Sequence, residues 1–598
     1  MEATIKHFRF YFLALFSLSH SYLFAQDFTA DQSAKILDEL PKEMKEVIVR
    51  IKPQIIFINK PKDFYGSYNG KSNVLALNLS LKNNPALLKR TILHEYAHLY
   101  DMHTDITFDR IKFKSECSDR DSSNNDFCNN VNQKDLKLSK DVIFQSLFGV
   151  RIDNRKSIYF ENLITERSPD SYEFENEREL FAVNFEYFML DKEYKCRRPL
   201  QYNYFSILFS NFEPFPGIRC SRTYPFIKTD LASTELIHID FERVYRIDYL
   251  QAAPAKNDFS GGFGHSMLRI ALCAPERKVV NSECLKDTES HLVVSFRASV
   301  ADEQISSLKG LKGNYPSNQY IMSLSSVVEE YTQIQYRDLM IFPLQLSRQQ
   351  IKMLLTQMSL QHWSIERRYY FASNNCASEL VNLFRSTFGT EEMFLTTPYK
   401  PLDLPEWLIK TGLMKPNNSI ETIKSAEFYW QKTLDQLTAG EKVKFSSFLE
   451  FNFKKRNSIY SNAVKINPNA RTNALIRLLE FKVYSHFKHQ YFTELERVLK
   501  DLVKLDTVKM AEMLSIRNAG WILVDKSNSE KGYGIPDSKE LLKVESQLEL
   551  RNQALQDQFN KIADIVNSNS DVQTEELNSL KRKQEESKLI LDSYQVKK

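Results

Sequence analysis

Residues 84–102, NPALLKRTILHEYAHLYDM, determine what the N-terminal part of the chain can fold into. Asn84 followed by Pro85 is a typical start of an α-helix, so a helix is predicted from this point. Residues 94–98, HEYAH, place two histidines one helical turn apart on the same face, where both imidazoles can bind one Zn²⁺. Glu95 can then act as the base in metal-assisted hydrolysis. The stretch therefore predicts a zinc site carried by a helix.

A tetrahedral catalytic zinc site takes three protein ligands and keeps one position open. His94 and His98 supply the first two. The best candidate for the third is Glu179, in the segment NERELFAVNFEYF, whose apolar residues would place this carboxylate against a core. The sequence thus predicts zinc as a cofactor, with His94, His98 and Glu179 as its ligands.

The two segments HEYAHLYD and SYEFENERELFAVNF resemble the Glu-zincin metallopeptidases typified by anthrax lethal factor. In that family the third ligand is the glutamate that opens a short stretch ending in Phe-Ala, which implies Glu179 here. The resemblance also implies that Tyr172, seven residues earlier, assists the reaction. The alternative is a degenerate peptidase fold that keeps the metal, or only the helix, without proteolysis.

A histidine and a cysteine form a second candidate site. His265 follows a glycine-rich turn in GGFGHSMLRI and begins a predicted strand, whereas Cys376 in YYFASNNCASEL precedes a predicted helix. The dipole of a helix lowers the pKa of a thiol at its N-terminus, and a nearby imidazole favours the thiolate further. The pair predicts a thiolate–imidazolium nucleophile that reacts with iodoacetamide faster than a free thiol at pH 7.

The segments GHSMLRI, LKGLKGNYP, EYTQIQYRDLMIFPLQLS and YYFASNNCASELVNLF resemble the periplasmic domain of a lipoprotein N-acyltransferase family of Bacteroidetes and related bacteria. That domain is similar to a circularly permuted papain-like fold, related to the NlpC and lecithin:retinol acyltransferase families. The resemblance spans about residues 233–415. It implies His265 as general base, Cys376 as nucleophile, and a polar group on an adjacent strand that orients the histidine, for which His291 is the candidate.

Length and composition agree with several folded domains. The chain has 598 residues, 42% of them hydrophobic, and 80 basic against 76 acidic side chains, so its net charge of +4 gives no reason to propose a nucleic-acid partner. The expected fold class is multidomain α+β. The expected units are a mainly helical zincin-like domain at 26–232, a permuted papain-like α+β domain at 233–415, and an all-helical region at 416–598, coiled-coil-like from about 537.

The first 25 residues have the pattern of a secretory signal peptide. Lys6 and Arg9 precede a short apolar run that ends at Ala25, and a polar stretch follows. The run is too short and too polar to span a bilayer, although a retained N-terminal anchor is the alternative. A periplasmic location is therefore expected.

The seven cysteines fit an oxidising compartment. Three neighbouring pairs, 117 with 128, 196 with 220 and 273 with 284, would each close a short loop as a disulfide. Sequence alone leaves the connectivity open. The remaining Cys376 would be a reactive thiol, a partner in an intermolecular bridge, or a buried inert residue.

Three functional hypotheses follow. The main one is an exported thiol-dependent acyl transferase or hydrolase that acts on an envelope lipoprotein, lipid or amide substrate, with an additional zinc site. The second is a zinc metallopeptidase of the cell envelope, and the third is a non-catalytic envelope scaffold with relic sites. The acyltransferases carry membrane helices that this sequence lacks after the signal, so any membrane contact is expected to be peripheral.

Overall fold

The structure is a computed structural model. It describes residues 35–61, 64–104, 137–148, 170–229, 234–254, 264–298, 307–416, 420–425, 428, 452–466, 468, 470–503, 533–568 and 572–593. The predicted signal peptide and the predicted pairing of Cys117 with Cys128 lie outside the described residues. The described residues form a multidomain α+β protein, as the sequence predicts.

The first unit surrounds a core that is rich in aromatic side chains. Its helices are α1 Lys42–Ile51, α2 Pro85–His103, α3 Val142–Leu147, α4 Glu177–Leu190, α5 Tyr194–Arg197 and α6 Pro199–Leu208. A small sheet has the order β1–β3–β2, with β1 Gln54–Ile58, β2 Gly66–Asn69 and β3 Val74–Asn78. Strands β1 and β3 are parallel, whereas β2 is antiparallel to β3.

Local capping fixes where the two long helices of this unit begin. The Asn84 side chain accepts a hydrogen bond from the Leu87 N–H, and Pro85 follows as the first helical residue of α2. The Asn176 side chain caps α4 in the same way, accepting from the N–H of Arg178 and of Glu179. The helix predicted from Asn84 and Pro85 is thus confirmed, and α2 packs against α4.

The second unit is built on one large sheet. Its strands are β4 Thr223–Thr229, β5 Thr234–Asp240, β6 Val244–Ala252, β7 His265–Leu272, β8 Leu292–Ala298, β9 Tyr315–Ser323, β10 Leu339–Pro343, β11 Arg367–Tyr369 and β12 Glu421–Ile423. They run in the order β12–β10–β6–β7–β8–β9–β4–β5, and β11 also pairs with β9. The helices are α7 Ser307–Lys312, α8 Leu324–Val328, α9 Arg348–Ser364, α10 Cys376–Phe388, α11 Glu391–Leu395 and α12 Leu404–Lys410.

This sheet corrects two predicted boundaries. Strand β4 precedes the predicted boundary at 232, yet it pairs with β5 and, in parallel, with β9. Strand β12 lies beyond the predicted boundary at 415 and pairs with β10, so the region 416–598 is not entirely helical. Strand β4 joins the rest of the sheet through β9, and β12 joins it through β10. Both of these partners are distant in sequence, so local patterns do not reveal them.

The C-terminal helices are α13 Phe453–Ile466, α14 Ala470–Val503, α15 Ser538–Ser568 and α16 Val572–Ser593. Helices α14 and α16 pack together through Val483, Phe487 and Leu580. Helix α15 instead places Leu541 and Leu548 in an apolar cluster with side chains of the large sheet's unit. Among the described residues, no helix combines the length and apolarity that a membrane crossing requires.

Two predicted disulfides are present, Cys196–Cys220 and Cys273–Cys284. The first links α5 to the segment that leads into β4. Cys376 is a free, buried cysteine.

A short helix connects the two helices that carry the candidate sites. Asp101, near the end of α2, accepts hydrogen bonds from the N–H and the hydroxyl of Ser139, both at 2.8 Å. Helix α3 follows, and its Ser146 hydroxyl lies 3.4 Å from the carbonyl oxygen of Arg385 in α10. The HEYAH helix and the Cys376 helix are therefore joined through one intervening element.

Candidate active sites

The three predicted metal ligands meet at one point. The Nε2 atom of His94 lies 3.0 Å from Glu179 Oε2 and 3.1 Å from the Nε2 atom of His98, which in turn lies 3.2 Å from the same carboxylate oxygen. Zinc–nitrogen bonds of 2.0–2.1 Å in a tetrahedron place neighbouring ligand atoms about 3.3 Å apart. This triangle of two imidazole nitrogens and one carboxylate oxygen has the size and chemistry to hold a metal ion.

A fourth side chain orients the first ligand. Glu186 Oε1 lies 2.6 Å from His94 Nδ1, which leaves Nε2 directed at the triangle. Glu186 also forms an ion pair with Arg90. Sequence reasoning missed Glu186, although it follows Glu179 by seven residues, two helical turns along the same face of α4.

The charges around the triangle favour a cation. Burial opposes a charge on His94, but its hydrogen bonds to Glu179 and Glu186 raise its pKa to about 10. Burial would raise the pKa of Glu179, yet the hydrogen bonds from the two imidazoles lower it to about 2. A bound cation would replace the proton that these groups otherwise hold.

Glu95 lies beside the triangle with an unused oxygen. Its Oε2 is buried and, among the described residues, has no hydrogen-bond partner. Burial raises the pKa of this carboxyl group, while the N–H of Tyr68 in β2 opposes the shift. The half-exposed Tyr172 ring lies 6.3 Å from the His94 ring, and burial together with nearby carboxylates raises the Tyr172 pKa to about 12. The structure thus brings Glu95 and Tyr172 close to the triangle of candidate ligands.

The thiol of Cys376 is enclosed at the start of α10. The Asn375 side chain caps the helix, accepting from the N–H groups of Ala377 and Ser378. Groups that favour a charged sulfur surround it: the N–H of Ser266, the hydroxyl of Tyr369, and the N–H groups of Ala377 and Cys376. Because Ser266 directly follows His265, the structure brings the predicted nucleophile and base to one place.

The imidazole of His265 is held by residues that sequence reasoning did not name. Its Nε2 lies 2.9 Å from the hydroxyl of Ser295 on β8, which also accepts a hydrogen bond from Arg297 Nε at 3.0 Å. The ring stacks on Tyr331 with centroids 6.0 Å apart. Ser295 pairs with Met267, so it is the diagonal neighbour of His265 on the same face of the sheet.

The protonation states of Cys376 and His265 differ from the predicted thiolate–imidazolium pair. Burial raises the pKa of the Cys376 thiol, despite the hydrogen-bond donors around the sulfur. Burial, and then the charges of Arg297 and Arg337, lower the pKa of His265 well below its usual value. The resting pair is therefore a neutral thiol beside a neutral imidazole. The predicted lowering of the thiol pKa is wrong, because burial outweighs the helix start.

His291 does not orient His265. In the pairing of β7 with β8, Leu292 lies opposite Ile270, so His291 lies at the far end of the strand, about 20 Å from His265 at 3.3–3.4 Å per residue. Its Nε2 is instead 2.8 Å from the carbonyl oxygen of Cys284, next to a disulfide. Ser295 occupies the position predicted for His291.

The C-terminal helices contact the segment that carries Tyr331. This segment contains a π-helical turn, Glu329–Ile334, a feature often found at functional sites. From α14, Lys488 forms an ion pair with Glu329 at 2.9 Å, and the Lys482 amine lies 4.1 Å from the centre of the Tyr336 ring. Helix α14 thus supports the segment whose Tyr331 ring stacks on His265.

Two family models match this chain. Residues 238–409 match the Lnb N-terminal periplasmic domain, which supports the resemblance noted for residues 233–415. Residues 80–216 match a domain of unknown function, DUF7844, and contain all three residues of the triangle, His94, His98 and Glu179. No curated protein and no solved structure matches. The periplasmic domain family and the two disulfides fit a protein of the cell envelope that lies outside the cytoplasm.

Proposed function

We propose that the second unit is a thiol-dependent acyl transferase or hydrolase with a permuted papain-like fold, and that Cys376 is its nucleophile. The observation that supports this most directly is the placement of Cys376. It is a free thiol at a helix start, surrounded by hydrogen-bond donors, beside the strand that begins with His265. The match to a periplasmic domain family supports a substrate in the envelope, either a lipoprotein or a lipid.

Each group has a role in the proposed reaction. With Nε2 held by Ser295, the Nδ1 atom of His265 is left to take the thiol proton as sulfur attacks an acyl carbonyl. A carbon–sulfur bond forms, and the departing alcohol or amine receives the proton from His265. An amine or water then attacks the thioester, and the thiol is restored. The donors around Cys376 stabilise the negative charge that develops on sulfur.

The neutral resting pair has a measurable consequence. Only the thiolate reacts with iodoacetamide, and burial raises the pKa of Cys376, so labelling at pH 7 is expected to be slower than that of a free thiol. The rate should rise with pH and continue to rise above pH 9. Intact-mass measurement of the carbamidomethylated protein over a series of pH values gives this profile.

Glutathione under the same conditions is the control for the reagent, and labelling of the unfolded protein confirms that Cys376 is present as a thiol. A rate that is already constant below pH 7 would contradict the neutral pair and restore the thiolate–imidazolium hypothesis.

The proposed reaction predicts a covalent intermediate. Purified protein incubated with a phospholipid that carries an isotopically labelled acyl chain is expected to gain one labelled acyl group on Cys376, released by hydroxylamine as a thioester is. Peptide mass spectrometry locates the group. Treatment with a chelator should not prevent acylation, whereas prior alkylation should. Acylation at another residue, or loss of acylation with the chelator alone, would contradict the assignment.

The second candidate is a zinc metallopeptidase in the first unit, with a zincin-like fold. The ligand triangle favours it, and His94, His98 and Glu179 would hold the metal. Zinc bound there supplies a Lewis acid for amide hydrolysis. Glu95, whose buried Oε2 has no hydrogen-bond partner among the described residues, would hold a proton during the reaction, and the exposed Tyr172 would assist it. If neither activity is found, a non-catalytic envelope scaffold is the remaining hypothesis.

A further inference from the structure

Two surface segments beside the thiol site expose large apolar side chains. Leu311 on α7 is 58% exposed. Leu395, the last residue of α11, is 76% exposed, and Tyr399 and Leu402, between α11 and α12, are 43% and 48% exposed. A single exposed leucine is ordinary on a protein surface. Whether these four residues form an interaction surface therefore depends on where they lie.

Hydrogen bonds connect both segments to Asn375, the residue that precedes Cys376. The side-chain amide of Asn375 donates to the carbonyl oxygen of Phe371 at 3.1 Å and to that of Tyr399 at 2.8 Å. The Phe371 N–H in turn donates to the carbonyl oxygen of Gly310, in α7. One amide next to Cys376 thus links the segment with Leu311 to the segment with the other three apolar residues.

The second segment also borders the strand that begins with His265. The carbonyl oxygen of Pro401 accepts hydrogen bonds from the Tyr249 hydroxyl at 3.1 Å and from the Gln251 amide at 2.9 Å, both on β6. A Cβ atom built on Gly264 would lie 3.7 Å from Pro401 Cβ. This segment therefore passes over the pair of strands that supports the proposed base.

Hydrogen bonds fix the segment in this exposed conformation. Thr396, directly after Leu395, accepts at its carbonyl oxygen from Arg385 Nη2 and from Trp407 Nε1, both at 3.1 Å. Its neighbour Thr397 accepts from the same arginine at 2.7 Å. The hydrogen bonds to Thr396 and Thr397 therefore keep Leu395 in its exposed position.

The charges on the two segments are of one sign. Lys309, Lys312 and Lys400 are exposed, and neither 307–315 nor 393–402 contains an acidic residue. Acidic residues lie only at the borders: Glu391, Glu392 and Asp403 flank the second segment, and Asp302 and Glu303 precede the first in sequence. Exposed leucines and a tyrosine interleaved with lysines are the composition that binds the interface of an anionic bilayer.

We propose that residues 307–315 and 393–402 form a membrane-docking face whose partner is a bilayer that contains anionic lipid. The proposal rests on the proposed function, because it supplies the route by which a lipid or lipoprotein acyl group reaches Cys376. Leucine side chains would enter the acyl region while the lysines remain at the headgroups. The same face would hold the thiol site at the membrane without a spanning helix.

Vesicle flotation of the full purified chain tests this face. Wild-type protein is expected to float with vesicles of equal parts phosphatidylethanolamine and phosphatidylglycerol. A Leu395→Ser/Leu402→Ser variant should bind at least about tenfold more weakly, from the lost apolar burial. Lys312→Gln/Lys400→Gln should lose about fivefold per lysine on these vesicles and little on phosphatidylcholine vesicles. The control Leu550→Ser, which removes an equally exposed leucine from α15, should bind as wild type does.

Binding and catalysis are separated by Cys376→Ala, which should float as wild type does whether or not acyl transfer is ever found. No binding by the wild type, or equal binding by wild type and Leu395→Ser/Leu402→Ser, would overturn the docking face. Equal loss with Leu550→Ser would overturn it too, because adhesion would then not be specific to these segments. Unaltered circular dichroism of each variant is required for the comparison.

Discussion

Replacing Cys376 with serine is expected to lower acyl transfer by at least about a thousandfold while the protein remains folded. A serine hydroxyl has a pKa far above that of a thiol, so it needs a stronger base. His265 is a weak one here, because burial and the charges of Arg297 and Arg337 lower its pKa. The measurement is the rate of transfer from a labelled acyl donor, compared with the wild type at the same pH.

His265→Asn provides the companion variant. It removes the base but keeps a polar side chain that can meet the Ser295 hydroxyl, so it should reduce transfer strongly and leave the thermal unfolding temperature close to that of the wild type. Ser325→Ala, an exposed serine on α8, is the control for a change that should leave activity intact. Substantial transfer by Cys376→Ser would mean that this thiol is not the nucleophile, and the metal site would become the leading candidate for activity.

The parts of the sites that sequence could predict are those with fixed spacing. The HEYAH pattern and a capped helix start place His94 and His98 on one face, and a further helix delivers Glu179 to them. Ser295 and Glu186 were missed because serine and glutamate are common and their roles depend on neighbours. The register of β7 with β8 points to Ser295, and the seven-residue spacing from Glu179 on α4 points to Glu186. Neither signal establishes a role for the residue before its partner side chain is known.

The protonation state of the thiol pair could not be predicted from residue types. The sequence suggested a helix start and a nearby imidazole, which both favour a thiolate. It gave no measure of burial and no sign that Arg297 and Arg337 would lie near His265. Desolvation depends on the packing of several segments, so the direction of the pKa shift follows only from the assembled site.

The strand order of the large sheet could be predicted from the sequence only in part. Strand β7 is predicted from a local stretch of sequence, the one that His265 begins. Strand β4 precedes it yet joins the sheet through β9, nearly a hundred residues later, and β12 joins through β10. The predicted helical C-terminal region likewise gave no indication that Lys482 and Lys488 would contact the segment that carries Tyr331.

The second large effect concerns the metal. A His94→Ala/His98→Ala variant is expected to retain less than about a tenth of the zinc bound by the wild type, because a single carboxylate cannot hold the ion. Glu95→Gln should keep the metal, since Glu95 is not part of the triangle, and lose any peptidase activity. Inductively coupled plasma mass spectrometry of metal-replete, dialysed protein gives the zinc content of each.

Glu186→Gln separates the ligand triangle from its support. It removes the charge that holds His94 Nδ1 and pairs with Arg90, so zinc affinity should fall roughly 10–100-fold without loss of the site. Glu213→Gln, which alters only a surface ion pair with Lys195, should bind zinc as the wild type does. Competition with a chromogenic chelator measures these affinities. If wild-type protein binds well under one zinc per chain, the four converging side chains are a buried hydrogen-bond network of the fold, and the first unit contributes no metal chemistry.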